Sequence, residues 1–269
     1  MALVACLPVT LLATPATAAP AEPTITHPQD DWAGSQIAIH EGDTSAKAIQ
    51  ADVVPAQPAA SGPHLAGLDV SSHQGNVNWA SAAANHGVFG YIKATEGSTY
   101  VNPYFKQQYD GSYTAGLIRG AYHFATPNTS GGANQANWFV SHGGGWSADG
   151  RTLPPALDLE YNPYGASCYG LSAATLVAWV HAFVDQVHTR TGRWPTIYTS
   201  ASWWKLCMGN NAGFGADPLW IARYNSTLGA LPPGWNAWAI WQFADAGKLP
   251  GDQDEFNGTQ DQLRALAKG

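Results

Sequence analysis

The sequence predicts an α/β fold, an irregular β/α barrel of about eight strands with few helices in its C-terminal third. Two observations predict it. From residue 65 onward short apolar runs alternate with helix-length segments, the order that builds parallel βα units. Eight strand candidates share roughly 205 residues, a shorter chain than a regular eightfold barrel uses.

The elements follow in order. Leu65 to Ser71 reads as the first strand, and Trp79 to His86 as an Ala-rich helix stopped by Gly87. Val88 to Thr95 is the second strand, followed by a helix from Tyr104 to Ala115 ending at Gly116. Leu117 to Phe124 is the third, then a helix from Ala133 to Ser141 and a Gly-rich loop. Leu153 to Glu160 holds the fourth. Ser172 caps the longest amphipathic helix, which runs to Arg190 with Gly192 beyond it. Strands five to eight are Thr196 to Thr199, Pro218 to Tyr224, Trp238 to Phe243 and Asp252 to Phe256. The 203–217 and 225–236 connections are rich in Gly, Asn and Pro, so helices thin out there.

The chain divides into three parts. Residues 1–18 read as a signal peptide, apolar and ending in Ala16-Thr17-Ala18. Residues 19–62 read as a pro-segment or linker, rich in Ala and Pro, with six acids against one base and Pro55 to Pro63 as its flexible end. Residues 63–269 form the catalytic domain, with 13 acids and 11 bases, so the acidity lies mostly outside it. Eleven of the 12 Trp residues fall from Trp79 onward. Without a basic stripe the chain is not a nucleic-acid binder. No later run of about 20 apolar residues predicts membrane insertion. Many Trp and Tyr with few charges suit carbohydrate, although a barrel core also uses such rings. Cys6 falls in the leader, leaving Cys168 and Cys207. In an exported domain such a pair forms a disulfide, worth roughly 3–4 kcal/mol by loop closure. Two free thiols or a metal-binding pair are the alternative reading.

The chemistry centres on Leu157-Asp158-Leu159-Glu160. Residues i and i+2 of a strand share a face, so the two carboxylates project together. Crowded out of an apolar strand end they cannot both ionise easily, which leaves one acid protonated for general-acid hydrolysis. Alone, D-x-E is better read as two solvated acids on an edge strand. Asp69 ends the first strand and Asp252 starts the last, which neighbours the first in a closed barrel. Four carboxylates without a basic cluster read as an acid-catalysed glycosidase or as an oxygen-ligand metal site. No D-x-D-x-D-G loop or H-E-x-x-H run supports the metal, so no metal or cofactor is expected.

Seven motifs in order then carry a resemblance. They are Gly67-Leu-Asp69-Val-Ser-Ser-His73-Gln-Gly75, Tyr91-Ile-Lys93-Ala-Thr-Glu96-Gly97 and Gly120-Ala-Tyr122-His123-Phe124. Leu157-Asp158-Leu-Glu160, Ile197-Tyr198-Thr199, Trp241-Gln242-Phe243 and Gly251-Asp252-Gln-Asp254-Glu-Phe256-Asn257 complete them. The chain from about residue 64 to 269 resembles the glycoside hydrolase family 25 lysozymes, N-acetylmuramidases of the type secreted by actinobacteria. The resemblance implies a secreted, monomeric enzyme whose partner is bacterial peptidoglycan. It would cut the β-1,4 bond between N-acetylmuramic acid and N-acetylglucosamine.

By position, the resemblance implies Glu160 as proton donor and Asp158 as the acid that assists the substrate's 2-acetamido group. Asp69 and Asp252 would hold the sugar and tune Glu160, with Asp254 the rival for the place of Asp252. Tyr122, Tyr198, Trp241, Glu96 and His123 would contact substrate. Core packing is the alternative for the rings, structural hydrogen bonding for His73 and His123, and an ion pair with Lys93 for Glu96. His181 and His188 read as surface residues. Two other functions fit less well. A binding module would not need all four acids, and a chitinase would carry further acids at Pro155 and Ala156.

Overall fold

The computed structural model describes Met1, residues 31–42 and residues 63–269. The remainder of the leader and the 43–62 stretch, with Pro55 onward of the linker, lie outside the described residues. Nine strands form one sheet: β1 His64–Val70, β2 Phe89–Glu96, β3 Tyr100–Val101, β4 Ile118–Phe124, β5 Ala156–Asp158, β6 Thr196–Thr199, β7 Leu219–Ala222, β8 Ile240–Ala244 and β9 Asp252–Asn257. Eight of them close a barrel in the order β1-β9-β8-β7-β6-β5-β4-β2, sealed by β1 on β2, while β3 hangs outside on β2.

One strand departs from the parallel expectation: β9 runs antiparallel to both β1 and β8. The reason is chain length. A parallel return needs a crossover of a dozen or more residues, and the link from Ala244 to Asp252 is shorter. The reversal brings the start of β9 to the same rim as the C-terminal ends of the other strands. Asp252 therefore pairs with Asp69 in register.

Among the described residues seven α-helices accompany the strands: α1 Ile37–Glu41, α2 Trp79–Ala84, α3 Phe105–Thr114, α4 Gly132–Ser141, α5 Ala173–Thr191, α6 Ala201–Met208 and α7 Gln260–Lys268. Ser172 accepts from the Thr175 N–H to start α5, and Gly192 ends it in the left-handed region. α6 falls where an irregular connection was expected. Its signals are Ser200, which accepts from the Trp203 N–H, and Gly209 at φ 61°. Trp203, Trp204, Cys207 and Met208 bury its apolar face. The Cys168–Cys207 disulfide forms as expected, with Cα atoms 5.3 Å apart, tying the loop after β5 to α6.

Strand register decides which side chains reach the interior. Tyr91 of β2 stacks on Trp220 of β7 at 4.8 Å between centroids, while Tyr122 and Tyr198 meet the same indole edge-on, so all four rings fill the barrel. Residues in register with them, or two away, share that face. They include Asp69, Lys93, Asp158, Gln242, Asp252 and Asp254. Space for the rings comes from Gly120, where a Cβ would lie 2.3 Å from the Tyr91 ring. A bulge between Lys93 and Thr95 shifts the alternation, so Lys93 and Glu96 both face inward although three residues apart.

Candidate active site

Three strands deliver acids to the mouth. Asp69 is the penultimate residue of β1 and Asp252 begins β9, and the side-chain amide of Gln242 donates to both, at 2.7 and 3.0 Å. Asp254 lies two residues further along β9, deeper in the barrel, where its Oδ1 accepts from Trp220 Nε1 at 2.8 Å. Its Oδ2 is buried with no donor among the described residues. Burial, then the charge of Asp69, raises Asp254 well above the usual carboxylate range. Burial pushes Asp69 up to about 7, opposed by its bonds to Gln242 and Asp254. Asp252 is raised further by burial and then by the charge of Asp69.

The D-x-E pair sits opposite. β5 ends at Asp158, yet Leu159 still donates its N–H to the Tyr198 carbonyl at 2.9 Å, which keeps the chain aligned as Glu160 enters the mouth. Both oxygens of Asp158 are buried without a donor among the described residues. Burial, then the neighbouring Glu160 charge, raises Asp158 well above the usual carboxylate range. Burial pushes Glu160 up to about 8, against the pull of two backbone N–H bonds. Those donors are Gly34 at 2.7 Å on Oε1 and Gln36 at 3.2 Å on Oε2, from the acidic segment that precedes the barrel.

Buried acids of raised pKa, converging on one barrel mouth beside tyrosine hydroxyls, suit acid-catalysed glycosyl transfer. Residues 68–252 match the family model described as Glycosyl hydrolases family 25. The chain belongs to glycosyl hydrolase family 25. Among relatives of this family 25 chain, an N,O-diacetylmuramidase from Chalaropsis sp is 50% identical over 208 residues, 76% of this chain and 99% of that one. Lysozyme M1 of Streptomyces globisporus is 46% identical over 207 residues, covering 75% and 70%. A solved family GH25 lysozyme from Aspergillus fumigatus aligns with a TM-score of 0.76 at 51% identity, over 77% of this chain and all of that one.

The family 25 barrel does not bring every expected residue to its mouth. Tyr122 and Tyr198 face inward; the Tyr198 hydroxyl donates to Gln242 Oε1 at 2.7 Å. Glu96 lies inward but pairs with Lys93 at 2.8 Å and accepts from the Tyr164 hydroxyl at 2.7 Å. Trp241 is a correction. It alternates with inward Gln242, so it points outward, packs on Trp238 and Phe243, and donates to the Arg223 carbonyl. His123 is the second, by the same alternation. Its ring nitrogens engage Thr95 Oγ1 at 2.8 Å and Gln135 Oε1 at 3.0 Å, and it stacks on Phe183 of α5. Burial drives it down to about 4, so it is a neutral structural histidine. His181 and His188 stack on Phe214 and Trp194.

Three residues of this family 25 mouth had no site role in the sequence reading, although Gln242 was expected at a strand end and Lys93 as a partner of Glu96. Gln242 joins Asp69, Asp252, Tyr198 and Tyr224. A lone amide within the apolar run Ile240-Trp-Gln-Phe-Ala244 was its signal, since a buried amide requires partners. Lys93, fully buried, lies over the Tyr100 and Phe124 rings at about 5 Å. Tyr224 reaches the mouth from beyond the end of β7, where strand parity gave no guide.

Proposed function

We propose that this chain is a secreted N-acetylmuramidase that cleaves the β-1,4 bond between N-acetylmuramic acid and N-acetylglucosamine in peptidoglycan. Glu160, protonated, gives its proton to the glycosidic oxygen as that bond breaks. The neighbouring acetamido oxygen closes on the anomeric carbon, and Asp158 accepts the acetamido N–H, whose positive charge grows as it does so. Glu160, now a carboxylate, then takes a proton from the water that opens the ring intermediate, which restores the acid and retains the anomeric configuration. Asp69 and Asp252 hold the sugar and tune Glu160, while Tyr122 and Tyr198 bound the site. The leader reading at 1–18 supports export.

The observation that carries this reading is Asp158, two buried carboxylate oxygens with no donor among the described residues, beside a carboxyl raised to about 8. A buried acceptor left bare is costly unless a ligand supplies the donor, and an acetamido N–H does. The relatives named muramidase and lysozyme point the same way.

The test uses residues 63–269, a length that corresponds to the whole of the Aspergillus fumigatus chain and so to a unit that folds alone. Wild type and Glu160→Gln are incubated with purified peptidoglycan, and the new reducing ends are identified by mass spectrometry. Muramic acid ends, lost with Glu160→Gln by about 10²–10⁴ in rate, are expected. Glucosamine ends would make it a different glycosidase. Wall binding without cleavage would make it a binding module.

A further inference from the structure

The catalytic mouth is already filled, by the chain's own residues 31–42. Asp31, Ala33, Gly34, Ser35, Gln36 and Ile37 are all buried against the barrel. Both oxygens of Glu160 are taken by the Gly34 and Gln36 amides. The Ala33 N–H donates to the Tyr122 hydroxyl at 3.2 Å, and its carbonyl accepts from Gln242 Nε2 at 2.8 Å. That is the same amide nitrogen that binds Asp69 and Asp252. The Tyr224 hydroxyl donates to the Gly34 carbonyl at 3.3 Å. The segment thus presents amide N–H and C=O groups to Glu160, Tyr122, Gln242 and Tyr224 around the mouth, while both Asp158 oxygens stay without a donor among the described residues.

Its flanks are fitted as well. Asp31 pairs with buried Lys93 at 3.0 Å, completing a cluster with Glu96. Trp32 stacks on His73 at 4.5 Å between centroids, beside a groove of about 600 Å³ that reaches Asp252. His40 stacks on Tyr161 at 4.1 Å, and Glu41 accepts from the Tyr161 hydroxyl at 3.0 Å and from Ser200. Gly34 marks the closest approach. At φ +96°, a Cβ there would lie 2.0 Å from the Tyr224 oxygen, 2.5 Å from Gln242 Oε1 and 3.0 Å from the Tyr198 oxygen. Only glycine permits this contact.

We infer that residues 31–42 are an intramolecular inhibitor, which binds the cleft in place of glycan and holds the full chain inactive until it is displaced or severed from the barrel. This inference rests on the muramidase reading of the same mouth. Two terms support it. The segment excludes sugar from Glu160, Tyr122 and Gln242 at once. Tethered through residues 43–62, it faces the cleft at an effective concentration of about millimolar, so modest intrinsic affinity suffices for occupancy.

The experiment compares the full chain, the full chain with Gly34→Val, and residues 63–269, on purified peptidoglycan. Expected is low activity for the full chain, with Gly34→Val and the barrel each about tenfold or more higher, equivalent to at least about 1.4 kcal/mol of segment binding. A gain of activity cannot arise from misfolding. A synthetic peptide of residues 31–42 should inhibit the barrel competitively, raising KM and leaving kcat unchanged. Equal activity of all three proteins would overturn the inhibitor while leaving the muramidase reading intact. Inactivity of all three, the barrel included, would overturn the muramidase reading itself.

Discussion

Asp69 and Asp252 stand in register across the β1–β9 seam and share one donor, the side-chain amide of Gln242. Two buried acids are thus held by a neutral group, which neither cancels their charges nor leaves them bare. The same Gln242 oxygen accepts from Tyr198 and Tyr224, so one residue couples both walls of the mouth.

Gln242→Leu should therefore remove more than a contact. It would leave two carboxylates and two hydroxyls buried without their partner, a loss of about 2–4 kcal/mol at the usual cost of unsatisfied buried groups. The unfolding midpoint in urea should drop accordingly, and kcat/KM of the barrel on peptidoglycan should fall. A variant with unchanged midpoint would show that water replaces the amide without penalty.

His123→Ala should separate structure from catalysis. The ring fills a site between Thr95, Gln135 and Phe183 on the outside of the barrel, and its loss leaves a cavity and two orphaned polar partners. Stability should fall by about 3 kcal/mol. Below the melting transition, kcat should stay within about twofold, a change worth less than 1 kcal/mol of barrier. A large loss of kcat in the folded variant would return His123 to the substrate.

The strands were legible because a barrel strand is buried on both faces and so reads as a short, near-continuous apolar run between helix-length segments. Adjacent Asp69 and Asp252 followed from barrel closure alone. Two kinds of feature were not legible. The face of a side chain depends on register, which sequence order does not state: Trp241 and Gln242 are neighbours on opposite faces, and the bulge at Lys93–Thr95 turns Glu96 inward. Long-range docking was hidden too. Nothing in the composition of 31–42 announces that Gly34 meets Tyr224, 190 residues away. The direction of β9 was readable in retrospect from the short 245–251 link.

Cys207→Ser should cost about 3–4 kcal/mol if the chain-entropy account of loop closure holds here, since the bond spans a sequence separation of 39. Cys207 is buried in α6, so the remaining loop from Tyr161 to Cys168 loses its anchor there. Melting of wild type with and without reductant, and of the variant, checks this. If reductant shifts wild type but leaves Cys207→Ser unmoved, the bond carries the effect. A reduced wild type that melts unchanged would remove the disulfide from the stability of the fold.

The acid cluster fixes how stability varies with pH. Glu160 rises from 4.5 to about 8 and Asp69 from 3.8 to about 7, both chiefly through burial. Between the unfolded and folded values the native chain binds more protons than the unfolded one, so these groups make stability fall as pH rises. Their favourable contribution is complete below about pH 4 and lost as pH climbs through about 7 to 8. Asp158, Asp252 and Asp254 are raised in the same direction, whereas Glu96, held low by Lys93 against its burial, loses its contribution only in acid. The full chain should therefore melt at a lower temperature near pH 8 than near about pH 5. Glu160→Gln, neutral at every pH, should flatten that slope. Calorimetry in buffers of different ionisation enthalpy should register net proton release on unfolding across the same window. A melting temperature that climbs from pH 5 to pH 8 would show that Glu160 and Asp69 are ionised in the folded chain.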